Sequence, residues 1–318
     1  MTLADHLGAL LDTPVRAVTD LGASHEWTTH RATLADGREV FVKAAVEPTT
    51  VFAAEAAGLR WLATGSADGL RGSARPDSGE SMRQAHSRGP TGGTEADTAV
   101  GHASALLPAV LAADDRMIVL PWLDDTGATP DTAAHLGREL AALHANTPTK
   151  FGAPWPGWIA ELPLDNTLSA GPWPQWYAER RLAPYLPRAA AHLGPDGTHL
   201  LEQVIDRIET LAGPPEPPAR IHGDLWSGNI VWTPDRAVLI DPAAHGGHRE
   251  TDLAVLALFG APHLDRILNA YNETHPLADG WRTRIPLHQL HHLLVHVVLF
   301  GASYRAQTLA AATAALRG

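Results

Sequence analysis

Cysteine is absent from the 318-residue chain, which excludes disulfides, thiolate metal sites and a cysteine nucleophile together. Any chemistry must come from carboxylates, histidines, hydroxyls or a bound metal. Basic residues are also few: 24 Lys and Arg against 35 Asp and Glu leave a formal net charge of −11. That argues against a nucleic-acid partner, which calls for clustered cations to neutralise phosphates, and suits a cationic small molecule better. No uninterrupted apolar run reaches the length of a membrane span. The start, Met1-Thr2-Leu3-Ala4-Asp5-His6, lacks the basic flank and apolar stretch of a secretory signal. The expectation is a cytoplasmic protein without a membrane partner. No G-x-x-x-x-G-K-[ST] motif occurs, which argues against a P-loop nucleotide site.

What is present is ordinary globular composition, 45% hydrophobic and 19% charged, in a chain long enough for one large domain or two of ordinary size. Residues 28–34 and 39–43 are β-prone runs joined by Ala35-Asp36-Gly37-Arg38, a hairpin connection. A helix follows from Thr49 or Thr50, with Phe52, Ala56, Leu59 and Leu62 on one face. From about residue 65 to 104, Gly, Ser, Thr, Asp, Arg and Pro replace large apolar residues; such a segment is expected to be a disordered insertion. Residues 109–112 and 117–120 read as two more strands, and residues 121–125 as a connector. Thr129-Pro130 opens a helix that runs to His144. Residues 151–174 read as a long loop, 174–185 and 199–211 as helices, and 251 onward as a helical tail.

The chemistry-bearing stretch is His222-Gly223-Asp224-Leu225-Trp226-Ser227-Gly228-Asn229, followed by an apolar hairpin that ends at Asp241. Phosphoryl transfer needs an acceptor hydroxyl aligned in line and cations on the phosphate oxygens. An Asp that takes the hydroxyl proton, an Asn five residues on and a second Asp supply that set, in the kinase order H-x-D-x-x-x-x-N then Asp. Asp224 is thus the candidate base, and Asn229 and Asp241 the candidate magnesium ligands. Upstream, Lys43 on a strand and Glu55 on the next helix match the kinase pair that holds the α- and β-phosphates. The phosphate loop is the weakest match: Leu21-Gly22-Ala23-Ser24-His25 has a single Gly, although Gly22, Ser24 and backbone N–H groups could still cradle phosphates.

These residues, with Asp241-Pro242-Ala243 and Gly247-His248-Arg249-Glu250-Thr251-Asp252-Leu253-Ala254, resemble the fructosamine kinase family. Phe41-Val42-Lys43, Lys150-Phe151-Gly152, Trp176-Tyr177 with Arg181-Leu182, and Phe300-Gly301 with Tyr304-Arg305 extend the likeness over nearly the whole chain outside the insertion. The resemblance implies an α+β, bilobal protein-kinase-like fold: a small β-rich N-terminal nucleotide lobe over residues 1–121 and a larger, mostly helical lobe over 122–318. It implies ATP- and magnesium-dependent phosphorylation of ketosamines at the third sugar carbon, with bacterial relatives preferring ribulosamine or erythrulosamine. It places adenine against the backbone of Pro121, Trp122 and Leu123. Trp226, His248, Glu250, Asp252, Asp165 and Asn166 become candidate substrate residues, Glu250 and Asp252 having bracing of the catalytic loop as the alternative. Some relatives carry a phosphate-loop cysteine that links subunits under oxidation; that switch cannot operate here. Kinases of other amino alcohols, such as aminoglycosides or choline, share the H-G-D and N skeleton, and a nucleotide-binding pseudokinase is the non-enzyme alternative.

Two features invite other readings. His288, His292 and His296 repeat at helical spacing that could align imidazoles for zinc, but a packed core helix with histidines at its border is the plainer account, since no carboxylate ligand is evident nearby. Ten Trp residues, many between 155 and 176, could form a carbohydrate platform; packing is expected for most and recognition for one or two.

Overall fold

The computed structural model describes residues 1–24, 27–64 and 106–318. The insertion expected over 65–104 lies outside the described residues, as does His25.

The chain opens with a helix that the sequence reading missed, α1 (Leu3–Leu11). Thr2 caps it: its hydroxyl accepts from the Asp5 N–H while Asp5 accepts from the Thr2 N–H, the reciprocal arrangement of a capping box. Its Leu7 is buried with Ala32, Leu34, Val40, Val42 and Val119. The strands β1 (Val15–Ser24), β2 (Trp27–Leu34) and β3 (Glu39–Ala45) follow, and then α2 (Val51–Thr64). β1 too was unforeseen, whereas the β2–β3 hairpin and α2 fall where periodicity puts them. Thr49 accepts from the Val51 N–H at the start of α2. Next come β4 (Ala112–Ala113) and β5 (Met117–Pro121), the first much shorter than expected. The five strands make one antiparallel sheet in the order β1-β2-β3-β5-β4. β3 is therefore central, and Lys43 on it sits opposite Thr29 on one side and Ile118 on the other.

Helix α3 (Pro130–His144) begins as expected, with Thr129 as its cap and Pro130 in the first turn. The segment expected to be a loop contains a small hairpin, β6 (Gly157–Ile159) and β7 (Leu162–Leu164). After α4 (Trp173–Tyr177) and a π turn at Ala178–Leu182 comes α5 (Leu186–Asp206). Its first half was missed because Pro187, Gly194, Pro195 and Gly197 read as breakers. The chain instead bends at Gly194 (φ 73°, ψ 169°) and resumes the helix, a conformation open to glycine. There follow α6 (Ile208–Leu211), β8 (Ala219–Ile221), β9 (Ile230–Trp232), β10 (Ala237–Leu239) and β11 (His245–Gly247). β9 pairs with β10 and β8 with β11. The tail is helical: α7 (Glu250–Phe259), α8 (Leu264–Thr274), α9 (Trp281–Phe300) and α10 (Arg305–Arg317).

One apolar cluster joins the sheet to the helices: Phe52, Leu59 and Ile118 lie in it with Leu136, Leu225, Leu239 and Leu253. A second is built from α4, α5, α9 and α10, around Trp173, Tyr177, Leu193, Leu294 and Ala312. The stretch Trp281–Arg317 is long and apolar enough to cross a membrane by length and composition, where the sequence reading expected no such stretch. Half of its apolar window is buried inside the molecule, as in the core helix of a globular protein.

Gly137 marks the tightest helix contact. A Cβ there would lie 2.3 Å from the Ile267 carbonyl and 3.0 Å from Ala270 on α8. Helix propensity alone would favour alanine at such a position by about 1 kcal/mol. The close approach reverses the sign, so Gly137→Ala should lower stability by roughly 1–3 kcal/mol. A urea midpoint that stays put or rises would contradict this packing.

Candidate active site

β8 delivers His222-Gly223-Asp224 into a turn whose backbone is held from several directions. Asp252, in the first turn of α7 and fully buried, accepts from the N–H of His222 (2.7 Å) and of Gly223 (2.9 Å). His144, at the end of α3, contacts the same carboxylate at 3.0 Å. Burial pushes the Asp252 carboxyl up, but the His144 contact and these backbone donors outweigh it, and the group titrates below its ordinary value. Gly223 has φ 82°, and a Cβ there would meet the Ala243 carbonyl at 2.3 Å; no other residue fits. Asn229 donates through Nδ2 to the Asp224 carbonyl (2.9 Å) and to its carboxylate Oδ2 (3.3 Å). Its Oδ1 is thereby turned away from Asp224.

Asp241 follows β10 in a left-handed conformation, φ 55°, which Asp tolerates better than most residues. Lys43 reaches it at 2.7 Å and Glu55 at 2.9 Å. Lys43 and Glu55 are buried, while the Asp241 side chain is 38% exposed. Burial pulls the Lys43 ammonium down, yet the Asp241 and Glu55 carboxylates more than reverse this and its pKa is raised. Burial drives the Glu55 carboxyl up to about 7 against the pull of Lys43. Burial also favours the neutral form of Asp241, but Lys43 prevails and keeps it ionised.

Asp224, Asn229, Asp241, Lys43 and Glu55 line one open cavity of about 190 Å³, together with Trp226 and Asn166. Trp27, Trp155 and Pro156, with Gly157 and Trp158 of β6, also line it. The sequence reading did not single these out; a Trp-rich stretch carries no periodic signal that separates wall from core. Trp173 and Trp176 are buried packing residues, as expected for most of the tryptophans.

Other candidates lie elsewhere. Asp252 braces the catalytic turn and does not face the cavity. Glu250 is buried and gives both oxygens to Arg284, at 2.9 and 2.5 Å. His248 is buried with its ring beside Trp173 and His288. Asp165 is half exposed and paired with Arg180 at 3.0 Å. These placements correct the expectation that they line the substrate site. Gly22, at a bulge with φ 112°, donates its N–H to Asp20. Ser24 ends β1 opposite Trp27. Pro121 closes β5, the Trp122 N–H donates to the Glu39 carbonyl, and Leu123 is half-buried. Gly22, Pro121, Trp122 and Leu123 are not among the described residues that line the cavity.

Of the histidine stripe only His288 joins a close group of possible ligands, with His248 and Glu250, among the described residues. A carboxylate does stand beside His288, contrary to expectation: Glu250 at 3.4 Å, with His248 close by. Arg284 already neutralises it, so the cluster is a charge-paired brace under α7 and α9. His291 bonds the Arg181 carbonyl and His296 the His292 carbonyl.

The antiparallel sheet, the helices that follow it and the hairpin ending at Asp241 are arranged as in the protein-kinase-like fold. The chain belongs to the fructosamine kinase family, whose model, described as fructosamine kinase, matches residues 19–317. A probable ketoamine kinase of Synechocystis is 34% identical over 195 residues, a match covering 60% of this chain and 64% of the relative, so the chain spans under two thirds of that relative's length. A structure from Thermobifida fusca, provisionally assigned as a fructosamine-3-kinase, superposes with a TM-score of 0.86 at 46% identity, covering 100% of this chain and 99% of that one. A thermostable aminoglycoside phosphotransferase variant in ternary complex with ADP and hygromycin B shares the fold alone, with a TM-score of 0.60 at 14% identity and coverage of 100% and 98%.

The Glu250–Arg284 pair makes a pH-dependent contribution to stability. Burial pushes the Glu250 carboxyl up, but contacts with His288 and Arg284 bring it down to about 2. A carboxyl depressed by folding stabilises the native state above its unfolded value and loses that effect as pH falls through the folded one. Glu250→Gln should therefore cost roughly 3 kcal/mol at pH 7, and the gap to wild type should narrow between about pH 4.5 and 2. Urea midpoints at pH 7, 4.5 and 3 read this; a gap independent of pH would show that the pair does not titrate as described.

Proposed function

We propose that the chain transfers the γ-phosphate of ATP to the hydroxyl on the third sugar carbon of a ketosamine, a sugar adduct of an amine. The observation that carries this reading is the meeting of Asp224, Asn229, Asp241, Lys43 and Glu55 around one cavity walled by tryptophans. In the proposed reaction Asp224 accepts the hydroxyl proton as the substrate oxygen bonds to the γ-phosphorus and ADP departs. Lys43, steadied by Glu55, holds the α- and β-phosphates. The backbone of Pro121, Trp122 and Leu123 holds adenine, with backbone groups near Gly22 and Ser24 over the phosphates. Residues 1–121 then form the nucleotide lobe and 122–318 the catalytic and substrate lobe.

The donor set suits magnesium. Among the described residues lining the cavity Lys43 is the one cation, paired with Glu55 and Asp241 while Asp224 adds a further carboxylate; Asn229 Oδ1 and the Asp241 carboxylate are hard oxygen donors of the kind a divalent ion takes. Bound there, magnesium would neutralise charge on the phosphate oxygens. Trp226, Trp155 and Trp158 offer aromatic faces to a substrate ammonium. Asn166 gives Oδ1 to Arg181 at 2.8 Å, and its Nδ2 has no protein partner, which suits it to a sugar oxygen. A cytoplasmic enzyme without nucleic-acid or membrane partners is part of the proposal, supported by the net charge of −11.

The test is ATP turnover against ribulosamines, erythrulosamines, fructosamines, aminoglycosides and choline. Ketosamines should be phosphorylated, and Asp224→Ala should lower kcat by about 10²–10⁴-fold with the circular dichroism spectrum unchanged. Transfer to an aminoglycoside or choline alone would replace the substrate assignment, and ATP binding without transfer to any acceptor would indicate a pseudokinase.

A further inference from the structure

We infer that His292, on α9 far along the chain from the catalytic motif, is a positioning residue that sets the orientation of the Asp224 carboxylate. Its imidazole is buried, with Nε2 3.1 Å from the Gly223 carbonyl oxygen and 3.5 Å from Asp224 Oδ1. A carbonyl only accepts, so Nε2 carries the hydrogen. The tautomer is thereby assigned by the partner: one N–H points at the junction between the Gly223 carbonyl and the Asp224 carboxylate, and Nδ1 is left without a protein partner.

Accounting for the polar groups of the turn shows what this donor adds. The N–H groups of His222 and Gly223 go to Asp252. The Asp224 N–H goes to His222 Nδ1, and its carbonyl to Asn229. Of the carboxylate oxygens, Oδ2 receives Asn229 Nδ2, and Oδ1 faces His292. The Gly223 carbonyl is taken by His292. The backbone of the turn runs so close to the Ala243 carbonyl that a Cβ on Gly223 would lie 2.3 Å from it. Asn229 thus holds one Asp224 oxygen, while the other lies 3.5 Å from the His292 nitrogen that fixes the adjoining Gly223 carbonyl. Losing the α9 contact frees the carboxylate to rotate away from the incoming hydroxyl, and an error of about 1 Å in such a group can cost roughly 10²-fold in rate. The stripe that invited a zinc reading holds, at its middle member, a donor for the catalytic turn.

This inference rests on Asp224 being the base, and its test separates the two. His292→Leu removes the donor but keeps the bulk; it should lower kcat roughly 10- to 100-fold while KM for ATP and ketosamine stays within about twofold. His292→Gln, whose terminal N–H falls near the position of Nε2, should recover most of the loss. In an Asp224→Asn background His292→Leu should cause little further loss, since coupled residues are non-additive. Should His292→Leu fail to fold, His292→Asn, which withdraws the donor from the turn, takes its place with the same expected loss. Equal losses in the donor-retaining and donor-lacking variants, a rise in KM that matches the fall in kcat, or full additivity with Asp224→Asn would overturn the inference. Wild-type turnover by Asp224→Asn itself would instead remove the assignment of the base.

Discussion

The buried ammonium of Lys43 ties the N-terminal sheet to the β9–β10 hairpin. It lies 2.9 Å from Glu55 on α2 and 2.7 Å from Asp241 after β10, so three separate elements meet at one charge. Taking a lone ammonium out of water is prohibitively costly, and two carboxylates more than compensate it. That overcompensation is the functional point. With Asp224 nearby, the described residues lining the cavity carry more carboxylates than cations. In the proposed reaction a divalent ion and a substrate ammonium restore the balance. In that proposal the arrangement would suit a nucleotide–metal complex and a cationic acceptor, in keeping with the acidic character of the whole chain.

Around that centre the catalytic turn is held without contributing much of its own rigidity. Asp252 takes its N–H groups, Asn229 and His292 its carbonyls, and the Ala243 carbonyl lies close against Gly223. Each hold comes from a different stretch of chain. A second layer of buried charge, Glu250 with Arg284, secures α7 against α9 and so keeps Asp252 and His292 in place relative to each other. Stability and function are coupled here through geometry: the helices that form the core also aim the side chains that face the cavity.

The motif-bearing parts of this design were legible in the sequence because local chemistry dictates them. The H-G-D-x-x-x-x-N stretch, the hairpin ending at Asp241 and the amphipathic α2 with Glu55 each carry a pattern that a short window reveals. The elements missed were α1, β1 and the first half of α5. The first two lie ahead of the hairpin and were passed over despite the Thr2–Asp5 capping pattern; the third was hidden by Pro and Gly residues that mark a bend within a helix. Substrate residues were the hardest to read. Glu250, Asp252 and His248 stand close in sequence to the motif and read as substrate or bracing residues; α7 turns Glu250 to Arg284 and Asp252 to His144 and the turn, and His248, just before it, packs on Trp173. Trp155 and Trp158 reach the cavity from just before and within a small hairpin, and His292 arrives from α9. None of those meetings has a local signature.

The most direct test of the account is a crystal structure of the protein with magnesium, a non-hydrolysable ATP analogue and a ketosamine. The account predicts the metal on Asn229 Oδ1 and Asp241, the phosphates against Lys43, and the acceptor hydroxyl within hydrogen-bond reach of Asp224. A nucleotide bound away from Lys43, or an acceptor hydroxyl facing some other side chain, would contradict it.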